Sequence, residues 1–217
     1  MLSSVLVGVL SLVLTILLNG ITVQAFPDVA VAETCTNGFQ AGSDTVTLTI
    51  PYPPTMVVGV IGDFQNLTWS GNDPSTVTLN GTDNEVGTAR SYTLSGLDVV
   101  ETLTEYYRPN LNCFGMGSPP HFPRYRPETA YAEAHTFAQV DFNGDQVYMP
   151  FDGITVTSTC LGNASILNYT ANFCAGDVAT TASLLHGIHL QDLQTVQAML
   201  GNKTFTSCPA LNYGACP

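Results

Sequence analysis

Polar and apolar residues alternate one by one along residues 45–50, where Thr45, Thr47 and Thr49 interleave with Val46, Leu48 and Ile50. A period of two marks a half-buried strand. Pro51, Pro53 and Pro54 then interrupt it. Proline lacks an N–H and is tolerated in the first turn of a helix, so a helix is predicted to start at Pro53-Pro54. Met56, Val57, Val60, Ile61 and Phe64 give that helix an apolar stripe, and residues 63–69 close it. Short strands are predicted over residues 75–79, 86–94 and 97–106, with a turn at residues 80–84 and a two-residue loop at Ser95-Gly96. Pro109, Pro119, Pro120, Pro123 and Pro127 break every period across residues 108–134. That stretch reads as a long irregular excursion, either a lid or an inert surface loop pinned by Cys113. Residues 135–149 predict one or two more strands. Residues 154–160 and 166–173 predict two others around Gly162-Asn163-Ala164. A 3.6-residue period returns over residues 181–200 and stops at Gly201-Asn202.

One strand, one helix, an antiparallel meander and a late helix predict an α+β fold, with a curved sheet wrapped around a helix and a cavity between them. The loop at Ser95-Gly96 fixes a register in which Leu94 faces Leu97, Tyr92 faces Val99, Arg90 faces Glu101 and Thr88 faces Leu103. These residues share the more apolar face, which should point inward. An Arg90–Glu101 pair is thereby predicted on the cavity wall, as a polar anchor for a guest or as a structural ion pair. On the late helix, Leu185, Ile188, His189, Asp192, Val196, Met199 and Leu200 fall on one side. His189 and Asp192 sit within that apolar stripe. A His beside a carboxylate can exchange protons near neutral pH, or be satisfied by its helix neighbour and do no chemistry. Tyr92, Trp69, Leu185 and Val196 are the further candidates for contact with a guest. His121 and His135 fall in poorly patterned stretches and are not assigned a metal. Asp63 and Asp152 are read as backbone-capping or turn residues.

Residues 5–18 are almost wholly apolar and Ala25 suits signal peptidase, so residues 1–25 are read as a cleaved secretory leader, with a retained membrane anchor as the alternative because no Lys or Arg precedes the apolar run. Residues 26–44 follow as a lead-in, residues 45–200 as the domain with its insertion at 108–134, and residues 201–217 as a tail. Six cysteines (Cys35, Cys113, Cys160, Cys174, Cys208 and Cys216) suit up to three disulfides in a secreted protein. Their pairing is open, with a bridge tying an end to the core as the simplest expectation. Asn66, Asn80, Asn163, Asn168 and Asn202 head Asn-x-Ser/Thr sequons and favour the secretory route. A net charge of −12 with five basic residues excludes nucleic acid and disfavours anionic membrane surfaces. No Cys-x-x-Cys, His-Glu-x-x-His, Gly-x-Ser-x-Gly or phosphate loop occurs, so no metal, cofactor or serine nucleophile is expected.

The Pro-started helix with Val60-Ile61-Gly62-Asp63-Phe64 and Trp69, followed by Val86-Gly87-Thr88-Ala89-Arg90, Ser95-Gly96 and Val99-Val100-Glu101-Thr102-Leu103, resembles the START-like superfamily. The likeness is to its polyketide cyclase/dehydrase branch, and Pro150-Phe151-Asp152-Gly153 before two strands and the last helix extends it. It covers roughly residues 45–107 and 150–200. The resemblance implies a helix-grip fold, a curved antiparallel sheet around a long C-terminal helix. It also implies a pocket for lipids, hormones or polyketides, with cyclisation or dehydration in some members. The leader, the cysteines, the insertion at 108–134 and a short closing helix depart from the pattern.

Three functional expectations follow. The first is a secreted binder of a small hydrophobic, lipid- or polyketide-like molecule, held by apolar walls and oriented by Arg90 and Glu101. The second is a cyclase or dehydratase in which His189 and Asp192 move protons. The third is a structural or interaction protein whose pocket is filled by bulky side chains. A cavity above roughly 300 Å³ suits either ligand reading. Convergence of His189 and Arg90 on one void suits the enzyme.

Overall fold

The computed structural model describes residues 35–94, 96–109, 129–142 and 145–208. The expected leader, residues 26–34 of the lead-in and most of the Pro-rich excursion lie outside these residues, as do Cys113, His121 and Cys216. Among the described residues seven antiparallel strands form one sheet: β1 (Gln40–Ile50), β2 (Thr78–Asn80), β3 (Ala89–Leu94), β4 (Leu97–Tyr107), β5 (Thr129–Phe142), β6 (Asp145–Thr159) and β7 (Ala164–Ala175). Their order is β1-β7-β6-β5-β4-β3-β2. Helix α1 (Pro54–Ile61) follows β1, and the long helix α2 (Val178–Met199) closes the fold and packs mainly over β1. The class is α+β, with a curved sheet and a long C-terminal helix.

Local chemistry sets the element ends. Pro54 occupies the first turn of α1, and the Gly62 N–H bonds the Val58 carbonyl to end it. The Gly62 carbonyl then accepts from Tyr106 Oη at 3.0 Å and from Arg108 Nη1 at 2.7 Å, so this helix end is satisfied by side chains of β4 and the residue after it. Asp177 caps α2, its Oδ1 accepting from the Thr180 N–H at 3.1 Å. The β3–β4 register is the one the hairpin dictates: Arg90 opposite Glu101, Tyr92 opposite Val99, Leu94 opposite Leu97. Gly96 supplies the positive φ of +85° that the turn requires. Shifts in the β5–β6 pairing between His135 and Phe137, and in the β6–β7 pairing between Tyr148 and Phe151, bend the sheet.

Three expectations change. Residues 75–79 are a 3-10 turn (Pro74–Thr76) followed by a three-residue strand, because Asp73 Oδ1 captures the Ser75 N–H at 2.9 Å and bends the chain. Residues 129–134 belong to β5, so the irregular stretch ends earlier than its prolines suggest. Met199 is 50% exposed, while Leu193 is fully buried in its place on the inner face of α2. Cys35 pairs with Cys174 and Cys160 with Cys208, which ties the start of the described chain to β7 and the tail to the β6–β7 connection. The amide of Asn168, within the sheet on β7, accepts from Thr47 Oγ1 and donates to Thr170 Oγ1. Among the described residues no helix is long and apolar enough to cross a membrane.

Candidate functional site

The register of the sheet collects the site. Reading across its inner face, Asp44 (β1) lies beside Ala171 (β7), Ala171 beside Asp152 (β6), Asp152 beside His135 (β5), and His135 beside Leu103 (β4). Residues directly opposite in neighbouring strands point to the same face. Asp44 and Asp152 therefore flank a small side chain, and the space above Ala171 is open to a side chain from α2. His189 takes it. Its Nδ1 lies 3.2 Å from Asp44 Oδ2 and its Nε2 3.3 Å from Asp152 Oδ1. Its ring stacks on Tyr169 with centroids 4.0 Å apart and planes 10° from parallel. His186, one turn earlier and exposed, holds the other Asp44 oxygen at 3.0 Å. Burial opposes a charge on His189, but Asp152, Asp44 and Asp192 outweigh it and raise its affinity for a proton.

A second polar group surrounds Arg90, which is 2% exposed. Its Nε donates to Glu101, its Nη1 donates to the Phe64 carbonyl at 2.5 Å, and Glu133 lies 3.6 Å away. The guanidinium also lies 4.2 Å from the centre of the Phe64 ring. Tyr92 Oη donates to the other Glu101 oxygen. Glu133 accepts from Tyr131 Oη and faces His135 Nε2 at 2.6 Å. Burial works against a charge on Glu133, yet His135, Arg90 and Tyr131 together hold its carboxyl below the ordinary range. Burial, reinforced by nearby carboxylates, pushes the Tyr92, Tyr131 and Tyr169 phenols well above theirs, so they are hydroxyl donors at neutral pH.

Both groups border one cavity of about 50 Å³ between the sheet and α2. Arg90, Tyr92, Glu101, Asp152, His189 and Asp192 form its polar wall. Leu67, Trp69, Val99, Phe137, Met149 and Leu185 form the apolar one. Half-buried Ser70, Asn72, Leu94 and Ile188 border the side facing solvent. Burial first, then the Asp152 and Glu101 charges, push the Asp192 carboxyl up to about 7 against the pull of His189 and Arg90. Two buried polar atoms on the cavity's lining residues have no hydrogen-bond partner, Asp152 Oδ1 and Trp69 Nε1. His189 Nε2 stands at ion-pair distance from that Asp152 oxygen without hydrogen-bond alignment.

The cavity brings together seven of the eight expected residues: His189, Asp192, Arg90, Tyr92, Glu101, Trp69 and Leu185. Val196 does not join them; it is fully buried in the core, two helical turns beyond His189. His189 takes its close carboxylate partners from the sheet rather than from Asp192. Asp152 is no turn residue but a buried member of β6. His135 is fully buried on β5. The expected hollow is present and its lining is mostly apolar, but it is smaller, because ion pairs and aromatic rings occupy much of the space. Sequence reasoning missed Asp44, Glu133, His135, Asp152 and Tyr169. The alternation Tyr131, Glu133, His135 was the available signal, since a period of two puts all three on one strand face. Among the described residues no cluster of three His, Cys, Asp or Glu side chains is arranged to hold a metal.

No protein-family profile matches the chain. No curated protein matches it either. Solved structures do. A protein from Nitrosospira multiformis aligns over 72% of this chain and 94% of its own, at 12% identity and a TM-score of 0.50. XoxI from Bacillus cereus aligns over 76% and 99%, at 18% identity and a TM-score of 0.48. Truncated norcoclaurine synthase from Thalictrum flavum aligns over 78% and 99%, at 9% identity and a TM-score of 0.48. At such identities the likeness is one of fold, and the fold of this chain is the helix-grip: a seven-stranded antiparallel sheet closed by a long C-terminal helix.

Proposed function

We propose that the protein binds a small organic molecule with an apolar body and a polar head. The head enters the cavity between the sheet and α2, and the body lies toward the rim at Leu94 and Ile188. One observation carries this reading: charged and hydroxyl-bearing side chains (Arg90, Tyr92, Glu101, Asp152, His189, Asp192) and an apolar wall converge on one cavity between the sheet and α2. Mostly apolar walls with a few convergent polar groups are the usual make-up of a small-molecule site. A volume of about 50 Å³ holds a head group or a few waters rather than a lipid, since drug-sized ligands need roughly 300 Å³ or more. The disulfides suit a protein exposed to an oxidising compartment, and the reading places it in the secretory pathway or outside the cell.

Trp69 is the only tryptophan of the chain and lines the cavity, so it reports occupancy. Native mass spectrometry of protein from a eukaryotic secretory host is expected to show a co-purified small molecule. Its removal and re-addition should change Trp69 fluorescence saturably. Val99→Phe, which fills the void, should abolish that change while the far-UV spectrum stays native. A saturable change that survives Val99→Phe would place the guest elsewhere.

A second reading, acid–base chemistry on the guest in the manner of a cyclase or dehydratase, is favoured by the meeting of His189 and Arg90 at one void. His189 and Asp192 would exchange the protons, the Asp192 carboxyl pushed up to about 7 by burial and the His189 imidazole, against its burial, raised above its ordinary value by Asp152 and Asp44. Turnover unchanged in His189→Ala would remove that residue from any mechanism.

A further inference from the structure

We propose that the guest's polar head is a cation, a primary or secondary ammonium, with Asp152 and Asp192 as its counter-ions. This deepens the small-molecule reading above and rests on it.

The buried charges do not balance. Among the described residues Arg90, His135, His186 and His189 are the cations that face the site, four even with all three imidazoles protonated, against five carboxylates. Asp44, Glu101, Glu133, Asp152 and Asp192 are the carboxylates that face them. Each of these cations is committed, His186 to Asp44. Arg90 is taken by Glu101, the Phe64 carbonyl and Glu133. His135 Nε2 is directed at Glu133. His189 is clasped between Asp44 and Asp152. An anionic head would meet no free positive group and several negative ones. A neutral hydroxyl would leave the excess charge uncompensated. An ammonium supplies the missing charge beside Asp152 and Asp192, which both line the void. Trp69, Tyr92 and Phe137 around the void offer ring faces that favour a cation further. The chain's net charge of −12 draws such a guest in.

In its empty state the site corrects the imbalance with a proton. Asp192 faces His189 on its own helix, Asp152 on β6, Glu101 on β4 and Arg90 on β3, and its carboxyl titrates near 7. An arriving ammonium replaces that proton. Binding therefore releases a proton near neutral pH, and a neutral guest releases none.

The test uses three guests of one shape: benzylamine, benzyl alcohol and benzoate, titrated against Trp69 fluorescence of the full secreted chain. Benzylamine is expected to bind at least tenfold more tightly than the other two at pH 8. That advantage should shrink about tenfold at pH 5.5, where Asp192 keeps its proton. Asp152→Asn and, separately, Asp192→Asn should each erase the preference for benzylamine while benzyl alcohol still binds, and either folded variant suffices. Calorimetry in buffers of different ionisation enthalpy should show proton release with benzylamine alone. Equal or tighter binding of benzyl alcohol, or a preference for benzoate, would overturn the cationic head and leave the pocket standing. Absence of a saturable response to all three would also overturn it, and the pocket itself is then judged by the native mass spectrum.

Discussion

Arg90 and Glu101 bring opposite charges to a place with almost no water, and each is worth keeping only because the other is there. Taking Glu101 away leaves the buried Arg90 guanidinium with only the Phe64 carbonyl and the more distant Glu133 carboxylate to answer it. Glu101→Gln is expected to cost about 3–5 kcal/mol of unfolding free energy, measured by urea denaturation, and to release Tyr92 as well. Ala171 makes the opposite kind of contribution: its importance lies in what it lacks. Ala171→Leu should push His189 off its seat between Asp44 and Asp152. The His189 proton affinity, followed by NMR titration, is then expected to fall from its raised value toward or below that of free histidine, because burial persists while the carboxylates are lost. At this scale much was legible. A two-residue loop and the alternation of side chains were enough to set Arg90 against Glu101 and turn both inward. The clasp around His189 was not, because Asp44, Asp152 and Tyr169 lie on three strands far apart in sequence. Only the register across β1, β7 and β6 brings them together.

Strand β6 shows how an element aims a residue. Gly153 sits opposite Ala134, and a Cβ there would stand 2.8 Å from the Glu133 carbonyl oxygen. The absent side chain lets β6 lie close to β5, which keeps Asp152 beside His135. Gly153→Ala is expected to destabilise by about 1–3 kcal/mol and to weaken guest binding more than an equally destabilising change on β1, as a Trp69 titration would show. The length of α2 and its stop at Gly201 followed from periodicity and punctuation in the chain. The start of β5 did not. Five prolines upstream masked a strand whose own residues, Tyr131, Glu133 and His135, alternate with Ala132 and Ala134. Mixed polar and aromatic residues on an inner strand face give a weak hydrophobic signal, since their burial depends on partners supplied by other strands.

For the molecule as a whole, the buried titrating groups set a pH profile. Asp192 and His189 bind protons more tightly folded than unfolded. The stability that Asp192 contributes is full below its unfolded value of 3.8 and is lost as pH rises to about 7; that of His189 is lost above 6.5. Glu133 acts the other way, contributing above its unfolded value of 4.5 and losing that contribution as pH falls through its depressed folded value. Thermal melts should peak near pH 4–5 and decline toward pH 8, by at most about 1.4 kcal/mol per pH unit for each proton lost. Asp192→Asn should flatten the slope between pH 4 and 7. The overall architecture was legible because it follows from element order. The small volume of the cavity was not, since it depends on how large rings and ion pairs fill a space that only the assembled sheet defines. The Cys160–Cys208 bridge has a mechanical meaning. Helix α2 runs straight out of β7 at one end and is moored by that bridge beyond the other. A gate fastened at both ends cannot swing, so the guest proposed above would enter past the half-buried rim residues Ser70, Asn72 and Leu94 rather than by movement of α2.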